Sequence, residues 1–384
     1  MDFVCLKNDL VFGVRLASHA LGTRSSMPIL AGLKLEIVGN KLQLQATDLE
    51  RAVRCEIPII ENKAGDESVV LNGAVLNQIA SHLPADDRIS LTSKSGDGTS
   101  IQVRCGEVTF DLPTLLADDY PEIAPLPAAK LASVSIPQFQ RGLNQTVFAA
   151  KKAGQTTRLN LTGVNLVLKS DDLKLVTTDG YRLAMKTIDV QNTLEEAEYL
   201  IDASVLTDLD RVLSQLQADT VDIYKGEGQL FFQAAGVTFM ARTIAEEFPD
   251  FDRVIPKNNQ ISLIFDRKTL LEALQRIEIT AADDSGAISM KATAEESAVV
   301  IASSSRDKGE AEERVRLQNV PSEGIQISFN AGFVIDGLKH LASDEVGFWL
   351  AAPLQPALME PAGDKIPASD HGFLYVCMPV NLSQ

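Results

Sequence analysis

Cysteine is scarce in this sequence. The four residues, Cys5, Cys55, Cys105 and Cys377, are scattered with no C-x-x-C spacing. That argues against a disulfide framework or a thiolate zinc site and fits buried thiols in a reducing compartment. Glycine and proline are not in excess, and an ordinary balance of 45% hydrophobic and 23% charged residues argues against wholesale disorder. No run approaches the ~18 apolar residues that span a bilayer. Met1-Asp2-Phe3-Val4 lacks a basic n-region, so neither a signal peptide nor a membrane partner is expected, and a soluble cytoplasmic protein is. Positive charge is also short: 35 Lys and Arg stand against 52 Asp and Glu, a net charge of −17. Averaged over the surface this opposes contact with nucleic acid, but charge can be segregated onto faces.

The phrases of enzymes are missing too. There is no G-x-x-x-x-G-K-[ST], and the nearest stretch, Lys151-Lys152-Ala153-Gly154-Gln155-Thr156, has the wrong order. G-x-G-x-x-G, H-E-x-x-H and G-x-S-x-G are absent. His19, His82, His340 and His371 are isolated, and Asp283-Asp284 reads as a solvated loop. No catalytic residue, no cofactor and no metal is therefore expected.

What is present is repetition. Three segments share one grammar of apolar strand, polar break and amphipathic helix: Phe3 to Leu6 before 9–21, Val134 to Ile136 before 138–150, and Leu263 to Phe265 before 267–277. A second unit sets a strand and an Asn or Asp cap (Asn72, Asp202, Asn330) before helices over 74–83, 204–216 and 332–341. Hairpins with Gly-rich turns follow, including one at 95–98. The third copy is looser, with a Pro-broken stretch to Met359 and a polar loop before Phe373 to Met378. Thr47-Asp48 matches Thr178-Asp179, and Pro121 matches Pro249. The chain reads as three tandem α+β domains, over 1–128, 129–256 and 257–384. Residues 1–130, 131–256 and 257–384 carry net charges of −5, −5 and −7, so no third is a basic module. Yet the helices carry Arg15, Arg24, Arg141, Arg211, Arg267, Lys268, Arg276 and Lys339, and Lys151 and Lys152 follow one of them. Such repetition suits a surface or a ring better than a catalytic site.

Thr178-Asp179-Gly180-Tyr181-Arg182-Leu183-Ala184 resembles the T-D-G-[HY]-R-L-A motif of the bacterial DNA polymerase III β subunit, the β sliding clamp. Met27-Pro28-Ile29-Leu30, Ala46 to Glu50, Phe248 to Phe251, Arg253 to Pro256, Phe329-Asn330 and Met378-Pro379-Val380 agree in order along all three thirds. The resemblance implies a head-to-tail homodimer closing a six-domain ring, with helices lining the hole and sheets outside. The ring would encircle double-stranded DNA without reading sequence and tether a DNA polymerase, and a clamp loader, through short linear motifs. A clamp-like peptide-binding scaffold, or a paralogue that does not encircle DNA, is the alternative.

The resemblance also assigns residues. For the peptide pocket it implies Leu161, Thr178, Gly180, Tyr181, Arg182, Leu183, Pro249, Arg253, Val254, Asn330, Phe333, Leu354, Pro356, Met378, Pro379, Val380, Asn381 and Leu382. Apolar walls would accept leucine or phenylalanine anchors, while Arg182 or Arg253 grips carbonyls or carboxylates. For DNA it implies Arg24, Lys151, Lys152 and Gln155. For the dimer it implies Phe110 and Leu112 against Arg276 and Ile279. Three features depart from the pattern. Asn381 replaces a basic tail residue and Ser383-Gln384 run on past Leu382. The stretch from Met359 to His371 is longer and richer in proline. Thr280 stands where a second apolar residue is expected.

Overall fold

Each third of the chain lays down the same ten elements in the computed structural model, which describes residues 1–22, 27–63, 65–85, 87–94, 99–191, 193–282 and 285–381. The first third runs β1 (Asp2–Leu6), α1 (Lys7–Ala17), β2 (Gly32–Val38), β3 (Lys41–Thr47), β4 (Arg51–Asn62), β5 (Ser68–Asn72), α2 (Gly73–His82), β6 (Arg88–Ser93), β7 (Ser100–Cys105) and β8 (Val108–Leu115). The second runs β9 (Lys130–Ser135), α3 (Ile136–Thr146), β10 (Gly163–Leu168), β11 (Asp172–Thr178), β12 (Arg182–Gln191), β13 (Ala197–Asp202), α4 (Ala203–Leu213), β14 (Thr220–Gly226), β15 (Gln229–Ala234) and β16 (Val237–Arg242). The third runs β17 (Ile261–Asp266), α5 (Arg267–Ile277), β18 (Ala287–Ala292), β19 (Ala298–Ser305), β20 (Gly309–Arg316), β21 (Ile325–Asn330), α6 (Ala331–Lys339), β22 (Glu345–Leu350), β23 (Ala357–Ala362) and β24 (Phe373–Cys377).

The local chemistry explains these boundaries. In α5 the buried residues Leu270, Ala273, Leu274 and Ile277 fall at i, i+3, i+4 and i+7, one face of a helix. Asn72 and Asn330 accept from the N–H of Val75 and Phe333 at 3.0 and 3.1 Å, and Asp266 accepts from Thr269 at 2.7 Å. The predicted helix over 9–21 ends sooner, because its last turn tightens into a 3-10 turn at Ser18–Ala20; Val147–Ala149 does the same after α3. The loose stretch of the third copy resolves into β23, which pairs both β22 and β24 despite Pro361. The turn expected at 95–98 and the loop at Asp283-Asp284 lie outside the described residues.

Two compact units emerge, each taking part of the middle third: residues 1–136 with 204–243, and 137–203 with 244–384. In the first, β4 pairs β3 and β1 and then meets β16, with Ala52 opposite Met240. In the second, β12 pairs β11 and meets β24, with Leu183 opposite Val376. The third copy of this strand, β20, is paired only to β19 among the described residues. No helix among the described residues is long and apolar enough to cross a membrane.

Candidate functional site

The second unit gathers most of the residues that the resemblance assigns to a peptide pocket. The loop before β12 is a turn held by its own side chains. The Thr178 hydroxyl donates to the Arg182 carbonyl at 2.7 Å and accepts from the Gly180 N–H at 3.1 Å. One Asp179 oxygen accepts from the N–H groups of Tyr181 and Arg182 at 2.9 and 3.0 Å. Gly180 sits at φ +91°, the left-handed region that a Cβ disfavours. The Tyr181 carbonyl then accepts from the Met378 N–H at 2.9 Å, and the Val380 N–H donates to Ser328, which ties the tail to this loop and to β21.

Beneath the loop, Leu183, Val176, Met185 and Val376 form a buried apolar cluster against which Phe248, Phe251, Ile255, Leu358 and Leu374 pack, partly exposed. The segments around Thr178 to Leu183 and Phe248 to Ile255 therefore meet at this cluster, and Met378 joins the first of them through its bond to Tyr181. Leu183 is buried and forms floor rather than wall, and Leu161 is buried as well. The exposed apolar groups are Tyr181, Val254, Met378 and, on the loop before β23, Leu354. Pro356 closes that loop, half-buried, and Pro379 is half-buried beside Met378.

Arg182 is not an open grip. Its side chain, 10% exposed, donates to Asp179 at 3.0 Å, to Asp336 on α6 at 2.7 Å and to the Phe148 carbonyl at 3.1 Å. It also lies 4.5 Å over the Phe333 ring. Burial alone would loosen its proton, but Tyr375, Asp336 and Asp179 outweigh that and raise its proton affinity above the ordinary value. Its work is to fasten the Thr178 turn to α6. Asn330 is likewise occupied, capping α6 and donating to the Ser285 carbonyl. Arg253, 85% exposed and joined among the described residues only to Asp250 at 2.7 Å, is the arginine of the assigned pair able to reach a ligand. The resemblance does not assign Asp179, Asp336, Phe148, Phe248 or Phe251 to the pocket, although Asp179, Phe248 and Phe251 lie in the phrases that carry it. Asp336 had a signal: it stands 128 residues after Asp208, the partner of Arg51 in the matching turn of the first unit.

Arg24 and Leu382 lie outside the described residues. Lys151 places its ammonium 5.7 Å over the Tyr181 ring, so this candidate DNA contact borders the peptide surface. Lys152 and Gln155 are exposed on the following turn, and Asn381 is exposed at the tail. Arg141 and Arg267, two of the helix cations, are turned inward. Arg141 meets Asp370 and the His340 carbonyl at 2.6 and 2.8 Å, and Arg267 meets the Ser343 carbonyl at 2.7 Å. Of the dimer residues, Ile279 is 69% exposed, Phe110 is half-buried and Leu112 is already buried beside Ile101 in its own domain. Arg276 is held by Glu313 through two hydrogen bonds of 2.9 and 2.6 Å.

The long stretch after Met359 ends in a polar clasp. Asp370, wholly buried, accepts from Arg141, from Gln145, from the Ser343 hydroxyl and from the N–H groups of Ala342 and Ser343, all at 2.6–3.0 Å. Burial would raise its pKa, yet the hydrogen bonds from Arg141 and Ser343 prevail and hold it below the usual carboxylate value. Lys186 donates to the carbonyls of Ser369 and His371 at 2.8 and 2.5 Å, and burial brings its pKa down to about 8.

Known proteins agree with this geometry across the whole chain. Residues 1–124, 133–250 and 252–380 match the N-terminal, central and C-terminal domains of the DNA polymerase III beta subunit. The beta sliding clamp of Synechococcus elongatus is 28% identical over 387 residues, covering 100% of both chains; that of Staphylococcus aureus is 27% identical over 95% of this chain and 96% of its own. The Thermotoga maritima beta subunit crystal structure superimposes with a TM-score of 0.89 at 28% identity, and the Pseudomonas aeruginosa sliding clamp bound to griselimycin with 0.89 at 26%, each over the full length of both chains. With all three domain types matched in order, the chain belongs to the DNA polymerase III beta subunit family, the beta sliding clamps.

Proposed function

We propose that two copies of this chain close head to tail around duplex DNA in the cytoplasm, and that the cluster under the Thr178 turn receives short linear motifs of a DNA polymerase and a clamp loader. The chain is a non-catalytic processivity factor. The domains divide at 128/129 and 256/257, in exposed Pro-bearing connections. The observation that carries the reading is the convergence of three segments, distant in sequence, on one apolar surface with exposed Tyr181, Val254 and Met378 around it. Apolar anchors concentrate binding energy in a few contacts. Of the residues assigned to the pocket, Arg253 supplies the polar grip, while Arg182 and Asn330 support the turn and the helix. Exposed Lys152 and Gln155, with Arg24, touch the DNA backbone. Ring closure follows the pattern inside the chain: β4 meets β16, β12 meets β24, and β20, the third copy, meets β8 of a second copy.

Met378→Ala with Val380→Ala should weaken a polymerase-derived peptide at least tenfold in calorimetry, equivalent to about 1.4 kcal/mol. The pair should leave the dimer intact in sedimentation. Unchanged peptide affinity in the folded variant would contradict the groove assignment.

A further inference from the structure

Beside the apolar cluster lies an acidic recess that the groove alone does not explain. It encloses about 430 Å3 and is lined by Asn165, Glu198, Leu200, Ile244, Glu246, Glu247 and Phe248. Phe248 belongs to both features, since it also packs on the cluster of Leu183 and Val376. Glu246 spends one oxygen on the Asn160 N–H at 3.0 Å. Glu198 and Glu247 are exposed, and neither forms an ion pair among the described residues. Asn165, 2% exposed on β10, which is paired on both sides, lines the recess with an Nδ2 that has no hydrogen-bond partner among the described residues. A buried amide donor left unpaired is costly, and such a group marks a place where an acceptor from outside completes the structure.

We infer that this recess is a second subsite of the groove, taking a basic side chain that flanks the apolar anchors of a partner peptide. The inference rests on the groove reading above. A peptide brings both groups the recess lacks: a backbone carbonyl to accept from Asn165, and a guanidinium or ammonium to face Glu198 and Glu247. The shared wall at Phe248 places that basic residue next to the anchor-bearing stretch. A free metal ion is a poorer occupant, because no group of three His, Cys, Asp or Glu residues among the described residues is arranged to hold one. Exposed charges are screened by salt, so the subsite sets which flank is preferred and leaves most of the affinity to the anchors.

The test uses the full chain and one synthetic peptide with leucine and phenylalanine anchors. It is made in three forms: uncharged flanks, an arginine pair on the N-terminal flank, and an arginine pair on the C-terminal flank. One arginine form should bind about fivefold tighter than the uncharged form at low salt, an advantage that shrinks as salt rises. Glu198→Gln with Glu247→Gln should remove that advantage and leave the uncharged peptide unaffected. Asn165→Leu should weaken the flanked form selectively. Glu295→Gln with Glu323→Gln, exposed on loops outside the recess and outside β20, controls for the overall negative charge. The inference is overturned if neither arginine flank helps, if the advantage survives the recess substitutions, or if the control pair removes it equally. Binding of none of the three forms would overturn the groove reading and the subsite with it.

Discussion

Gly180 and Leu49 occupy the same place in two copies of one turn. Thr47 and Asp48 bond the backbone of Leu49, Glu50 and Arg51 as Thr178 and Asp179 bond that of Gly180, Tyr181 and Arg182. Both central residues have positive φ, +76° at Leu49 and +91° at Gly180. An L side chain there costs roughly 1–2 kcal/mol. Gly180→Ala should therefore destabilise the second unit by about that amount, while Leu49→Gly, which trades this strain for unfolded-chain entropy, should stabilise the first by about 0.5 kcal/mol. Denaturant midpoints of the two variants check the opposite signs. The repeated grammar of the turn was legible because it is local. The fate of Arg182 was not: Asp336 lies 154 residues away, and only the offset from Asp208 hinted at it.

Lys186 gives a pH dependence with a definite sign. Its folded pKa of about 8 lies below the ordinary lysine value of 10.5, so between these values the unfolded chain binds more protons than the folded one. The penalty for the buried charge is fully present below pH 8 and is relieved as pH climbs toward 10.5. Relative to Lys186→Met, the unfolding midpoint of the natural chain should rise across this window. A difference that stays flat between pH 7.5 and 10 would show that the ammonium is not penalised there.

At the scale of elements, the helices and hairpins followed from periodicity and caps, whereas the joints between thirds did not. Pairing of β4 with β16, or β12 with β24, joins strands far apart in sequence and leaves no periodic trace. The structure supplies the missing rule and, among the described residues, leaves β20 as the strand still without that kind of neighbour. The α5 end beside it exposes Ile279, while Leu112 is already spent on its own core. Leu112→Ala would thus damage the domain itself, and Ile279→Asp is the cleaner probe. Burying an isoleucine contributes about 1.5–3 kcal/mol at each of two interfaces, and a buried carboxylate reverses that gain. Ile279→Asp should sediment as a monomer at micromolar concentration; a dimer unchanged from the natural chain would remove Ile279 from the interface.

For the whole molecule, a net charge of −17 must coexist with DNA. Inward-facing Arg141 and Arg267 reduce the cations that could hold the duplex by direct contact. In the proposed ring, retention then depends on topology, with the exposed Lys152 assigned a weak, sliding attraction. The most direct measurement loads the dimer onto nicked circular plasmid with its clamp loader and follows co-elution before and after the plasmid is cut once. The account predicts that protein stays on the circle at ~0.2 M salt, where simple phosphate contacts weaken severalfold, and leaves within minutes of linearisation. Protein that stays equally on cut DNA, or is stripped from intact circles by that salt, would contradict encirclement.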